Sequence, residues 1–207
     1  MIKRKNIGID IDDTITNSSE VFIKYAKQYN KEHGIEFRID TTQLDVSKAF
    51  GWSDDNYKEF VKTYLKEILT EAQPKEYAID VIKRLQDEGH RIILITARHE
   101  RELDDPYIFT KRWLELNNVN YDKLIVNSKK KAISCLENGV EIYIDDNYRN
   151  CMETYKELHI PVFLFDTVYN KNNKYPDDGR ISSWPELYLK IKKICRESQS
   201  REEDTER

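Results

Sequence analysis

The chain reads as an α/β protein: a doubly wound parallel sheet with a small helical cap inserted after the first strand. Three observations carry this reading. Short apolar runs at residues 7–9, 92–95, 124–126, 141–144 and 162–165 lack the polar alternation of a half-solvated sheet, as expected of strands buried on both faces. Segments with helical apolar spacing alternate with the later runs, which gives a parallel sheet with helices on both faces. A strand-helix-strand crossover needs about a dozen residues or somewhat more, whereas about eighty separate the first two strands.

Strand one runs into Asp10-Ile11-Asp12-Asp13-Thr14. Asp10 therefore falls at the carboxyl end of the strand, the edge where open α/β sheets bind ligands. In an extended chain, residues two apart point to the same side, so Asp10 and Asp12 converge and need a cation or a proton to coexist. Taken alone, Asp-Asp-Thr equally suits a turn that starts a helix. Asn17 followed by Glu20 resembles a capping box, and Val21, Phe22, Tyr25, Ala26 and Tyr29 recur at helical spacing up to Gly34. Residues 41–50 read as a weak helix. Ser53 is an N-cap for a stronger one, with Tyr57, Phe60, Val61, Tyr64, Leu65 and Ile68 on one stripe. Pro74 breaks the chain, and residues 76–88 form a further amphipathic helix closed by Gly89.

Residues 17–73 are thus expected to form the cap, overhanging the end of strand one, with 1–16 and 74–195 making the core. Helices are expected over residues 105–116 and 130–137, after the fourth strand to about residue 158, and over 184–195, with residues 170–180 a polar loop. Residues 196–207 are charged, nearly devoid of apolar side chains, and read as a disordered tail.

The net charge of −4 argues against a dedicated nucleic-acid or anionic-membrane surface. No apolar run approaches the roughly 20 residues of a membrane helix, and the first residues lack the apolar core of a secretion signal. Cys135, Cys151 and Cys195 have no metal-ligand spacing and read as packed, reduced thiols of a cytoplasmic protein.

The strand ends supply the chemistry. Strands one, two and four end at Asp10-x-Asp12, Thr96 and Asp145-Asp146, and Lys131 lies on the short helix before strand four. In a parallel sheet these groups share one edge. Carboxylates, a hydroxyl and an ammonium suit a hard divalent cation such as Mg²⁺ together with a phosphate.

This ordered set resembles the four motifs of the haloacid dehalogenase (HAD) superfamily of phosphohydrolases: Asp10-Ile11-Asp12-Asp13-Thr14, then Thr96 in Ile95-Thr96-Ala97-Arg98, then Lys131, then Asp145-Asp146. Within it, the helical insertion and the run from Leu164 to Asn170, with Arg180 and Ser183-Trp184, are similar to the 5'(3')-deoxyribonucleotidase family and its bacterial nucleotidase-like members. The resemblance implies a Rossmann-like, HAD-type sheet and a Mg²⁺-dependent phosphomonoesterase. Asp10 would be the nucleophile and Asp12 the general acid and base. Thr96 and Lys131 would bind phosphate, with Lys130 an alternative for the lysine. The cation would be held by Asp10, the Asp12 backbone carbonyl and Asp145, with Asp146 as a further ligand or a supporting residue. The implied partner is a small phosphorylated substrate, a nucleotide, and a deoxyribonucleoside monophosphate in particular. Another phosphometabolite, a nucleic-acid 3'-phosphate end, or a non-catalytic binding role are the alternatives.

Phe50 and Trp52, between cap helices, are candidates for stacking on a nucleobase. Arg98 is a further substrate-binding candidate, although its polar run reads more naturally, with His99, as exposed loop.

Overall fold

In the computed structural model, which describes residues 4–40, 46–176 and 178–205, six strands form one sheet. They are β1 (Asn6–Ile9), β2 (Arg91–Ile95), β3 (Lys123–Ile125), β4 (Ile142–Asp145), β5 (Val162–Phe165) and β6 (Arg180–Ile181), in the spatial order β3-β2-β1-β4-β5-β6. Every pairing is parallel. β1 sits centrally and the chain winds outward in both directions from it, so the carboxyl ends of β1, β2 and β4 lie side by side. Gly8 leaves room for its neighbours: a Cβ there would lie 3.0 Å from Val140 Cγ1 and 3.1 Å from Tyr143 Cδ2.

Alternate strand residues serve opposite faces. Ile92, Leu94, Ile142 and Ile144 pack with helices α4 (Ala78–Asp87), α5 (Pro106–Leu116) and α8 (Trp184–Thr205) through Ile82, Leu114 and Leu187. Ile93, Ile95, Tyr143 and Leu164 face the other way, toward α6 (Lys131–Glu137) and α7 (Tyr148–Leu158) through Cys135 and Cys151. All three cysteines are buried and free.

Helices α1 (Ser18–Glu32), α2 (Val46–Phe50) and α3 (Asp54–Glu71) build a separate apolar cluster around Ala26, Tyr29, Phe50, Trp52, Phe60 and Ile68. Ser53 caps α3 by accepting from the Asn56 N–H at 3.2 Å. The two chain crossings into this lobe are paired: Thr16 bridges Pro74, the Asn17 N–H donates to the Gln73 carbonyl at 3.0 Å, and the Gln73 N–H donates to Asn17 Oδ1 at 2.8 Å. Asn17 therefore does not make the expected capping box. Its side-chain oxygen is taken by Gln73 across the lobe's neck and caps no N–H of α1, although its side-chain amide still donates to Glu20 Oε2 at 3.1 Å.

Two other expectations change, and one holds where the chain is described. Within the segment expected as a weak helix, α2 spans Val46–Phe50, while 41–45 lie outside the described residues. The polar loop ends in a strand, β6, too short to leave a period-2 signal. The final helix does not stop at residue 195 but runs to Thr205, into the segment expected to be disordered. That segment has no Gly or Pro and is rich in helix-favouring Arg and Glu, and a Lys193–Glu197 pair at 3.9 Å supports the helix at its entry. Among the described residues no helix is long and apolar enough to cross a membrane.

Candidate active site

Asp10 follows β1 directly and is pinned by its own N–H, which donates to the Ile144 carbonyl of β4 at 2.9 Å. Its side chain meets Lys131, whose Nζ lies 2.5 Å from Asp10 Oδ1 and also donates to the Ile95 carbonyl at the end of β2. Lys131 starts α6 and is buried, whereas Lys130 is exposed, so Lys131 is the lysine that reaches the site. Thr96 is buried at the tip of β2, its N–H donating to the Ile125 carbonyl at 2.9 Å.

Asp145 ends β4 with its carboxylate held by three donors. The Asn147 N–H donates to Oδ1 at 2.7 Å, the Asn150 amide donates to Oδ2 at 2.9 Å, and the Tyr143 hydroxyl donates to Oδ2 from the same face of the strand. Carboxylate oxygens of Asp10, Asp145 and Asp146 lie within 4.8 Å of one another. Asp146, expected as a ligand or a supporting residue, thus belongs to the same cluster.

The electrostatics follow from this crowding. Burial pushes the Asp10 carboxyl up to about 8, with the Asp145 and Asp12 charges adding and Lys131 opposing. Burial also pushes Asp146 well up, helped by Asp13, Asp145 and Asp10. Burial pulls the Lys131 ammonium down, but Asp10 and Asp145 outweigh it and its pKa is raised. Two buried carboxylates and the half-buried Asp146 meet the Lys131 ammonium, with Lys75 also acting on Asp146, so carboxylates outnumber ammonium groups and the cluster offers only oxygen donors. Both properties fit a hard divalent cation.

Asp12 is placed differently. Its side chain, 32% exposed, turns to Arg98, whose Nη2 donates to Oδ1 at 2.7 Å and whose Nε donates to Oδ2 at 3.0 Å. Arg98 is not an exposed loop residue: it is 4% exposed, and Nη1 also donates to Thr110 Oγ1 at 3.3 Å. A buried guanidinium needs a carboxylate partner, and Asp12 supplies it across 86 residues of sequence.

Asp13 occupies the left-handed region (φ 58°), which aspartate tolerates. Its N–H donates to Ser18 Oγ at 3.0 Å and its Oδ1 accepts from the Ser19 N–H at 2.6 Å, tying the end of the motif to the start of α1.

Between the sheet edge and the lobe lies a cleft of about 330 Å³. Asp12, Asp13, Arg98 and His99 line one side; Phe22, Val46, Leu65, Ile68 and Leu69 line the other. Phe50 and Trp52 do not line it. Phe50 is fully buried and Trp52 is 6% exposed, their rings stack on each other at 4.8 Å, and Trp52 Nε1 donates to Asn30 Oδ1 at 2.6 Å. Their faces are spent on the lobe's own core, so neither is free to stack on a ligand, and Phe22 is the cap aromatic on the cleft.

Sequence reasoning also missed Tyr143 and Lys75. Tyr143 looked like one more apolar strand residue, though its position two before Asp145, on the same face of β4, was a usable signal. Lys75 follows the neck, its ammonium 4.2 Å from the Phe165 ring centroid; burial lowers its pKa against the pull of Asp13 and Asp146.

No family model matches the chain. Curated relatives do. The chain is 30% identical over 191 residues to a putative nucleotidase of Bacillus cereus, covering 90% of this chain and 97% of that protein. It is 28% identical over 182 residues to the putative nucleotidase YqfW of Bacillus subtilis, covering 87% of this chain and 90% of the relative. Among solved structures, a haloacid dehalogenase-like hydrolase from Streptococcus pneumoniae superposes with a TM-score of 0.65 at 18% identity, covering 91% of this chain and 98% of its own, a likeness of fold. The chain belongs to the nucleotidase family of the Bacillus cereus protein, and is a phosphomonoesterase hydrolase built on the haloacid dehalogenase-like fold.

Proposed function

We propose that the protein is a Mg²⁺-dependent nucleotidase that hydrolyses a small nucleotide, a deoxyribonucleoside monophosphate in particular, through an aspartyl-phosphate on Asp10. The observation that carries the reading is the convergence of Asp10, Lys131, Asp145 and Asp146 on one buried point at the carboxyl edge of the sheet. Asp10 attacks phosphorus while the bond to the leaving oxygen breaks, and Asp12 protonates the leaving alkoxide. Asp12 then takes a proton from the water that cleaves the aspartyl-phosphate. Lys131 and Thr96 hold phosphate oxygens and offset their charge. Asp10, Asp145, the Asp12 backbone carbonyl and Asp146 would hold the cation, which when bound offsets anionic charge at the phosphate.

The cleft supports a small substrate. Its volume is at the low end of the roughly 300–1,000 Å³ usual for ligand sites, and its lobe wall is apolar, which suits a base and sugar better than a second phosphate. The test is phosphate release from nucleoside 5'- and 3'-monophosphates, sugar phosphates and p-nitrophenyl phosphate, with Mg²⁺ and with EDTA. Metal-dependent release favouring deoxynucleotides is expected. Release from sugar phosphates instead would move the assignment to another phosphometabolite, and no release would sink it.

A further inference from the structure

Arg98 faces the cleft, and among the described residues its one carboxylate partner is Asp12. It is held from several sides: its N–H donates to Thr96 Oγ1 at 3.3 Å, its carbonyl accepts from the Asn127 N–H at 2.8 Å, Nη1 reaches Thr110, and the guanidinium lies 5.9 Å from the Phe109 ring centroid. So anchored, the planar fork fixes both oxygens of Asp12 in one orientation, something a lysine could not do. The pairing separates the two motif carboxylates, Asp10 going to Lys131 and Asp12 to Arg98.

Both Asp12 oxygens accept hydrogen bonds from Arg98. That arrangement presents Asp12 as an acceptor, the form required when water attacks the phosphoenzyme, not as the donor required when the alkoxide leaves. We propose that Arg98 is a positioning residue for the second half-reaction, holding Asp12 on the cleft so that hydrolysis of the aspartyl-phosphate is fast. This rests on the phosphatase reading above. In that step the water oxygen bonds to phosphorus, the bond between phosphorus and the Asp10 carboxylate oxygen breaks, the water proton passes to Asp12, and inorganic phosphate forms. The proton now on Asp12 is the one given to the next leaving alkoxide.

The discriminating substrate is p-nitrophenyl phosphate, whose leaving group departs without a proton. With Mg²⁺ present, Arg98→Gln should lose about 10- to 100-fold in kcat, at and below the low end of what a positioned proton transfer supplies, and KM should fall in the same proportion so that kcat/KM is unchanged. Rapid mixing should show a burst of p-nitrophenolate stoichiometric with enzyme, and acid quenching should trap phosphorylated protein. Arg98→Lys should recover part of kcat and shrink the burst; it also carries the test if burial of position 98 prevents the Gln variant from folding. A fall in kcat with neither burst nor trapped phosphoenzyme would overturn the proposal, as would a rise in KM at unchanged kcat, which would make Arg98 a substrate ligand. Absence of turnover in the unmodified enzyme would instead sink the phosphatase reading and this inference with it.

Discussion

Phe50 and Trp52 separate two accounts of the lobe, because the structure makes them core where the sequence suggested a stacking platform. Phe50 is fully buried, with ring centroids 5.5 Å from Phe22 and 4.8 Å from Trp52. Truncating such a ring to Ala removes its transfer free energy and leaves a cavity, together about 3–5 kcal/mol. For a unit the size of the lobe each kcal/mol lowers Tm by about 4–8 °C, so Phe50→Ala should lower the lobe's melting by about 12–40 °C. Trp52→Phe keeps an aromatic face but removes the donor to Asn30 Oδ1, and Asn30 is 1% exposed. The orphaned acceptor costs about 1–3 kcal/mol. Urea titration followed by fluorescence and circular dichroism reads both losses, and phosphate release gives KM on the same samples. The lobe has a cluster of its own, so the loss should concentrate in one phase rather than shift the whole curve. An unchanged midpoint with a raised KM in either variant would refute the reasoning and restore the stacking role.

Tyr143→Phe removes the buried hydroxyl that donates to Asp145, and divalent-cation affinity should weaken about 10- to 100-fold by calorimetry with Mg²⁺ or Mn²⁺. Unchanged affinity would mean that the two Asn donors to Asp145 suffice. Asp10 gives the pH dependence. Its folded pKa, about 8, lies above its unfolded value, so ionising it costs folded-state stability, and the metal-free protein should lose stability as pH climbs from about 4 toward 8. A cation that binds the ionised carboxylates reverses this loss, and its binding at pH 7 should release protons. Binding heats that do not differ between buffers of unlike ionisation enthalpy would contradict that sign.

Much of the architecture was legible because buried parallel strands write themselves as unbroken apolar runs. Ile92 to Ile95 and Val162 to Phe165 allow hardly any other reading, and the strand-end positions of Asp10, Thr96 and Asp145 followed from them. The information lost was of two kinds. Pairings distant in sequence leave no local trace: Arg98 sits in a polar run that looks solvated until Asp12 is beside it, and the side-chain oxygen of Asn17 goes to the Gln73 N–H, 56 residues on, rather than to an N–H of its own helix. Periodicity also says that Phe22, Phe50 and Trp52 are apolar neighbours without saying which faces the cleft. β6 holds its place through two residues paired with β5, fewer than any period can register.

In the proposed reaction Asp10 carries the phosphoryl group. The most direct test is acid quenching of the enzyme during turnover of a deoxynucleotide with Mg²⁺, followed by peptide mass spectrometry, with Asp10→Asn alongside. A phosphoryl group on the peptide containing Asp10, absent together with turnover in a folded Asp10→Asn protein, is the predicted result. Turnover retained by Asp10→Asn, or a phosphoryl group trapped on another residue, would contradict it.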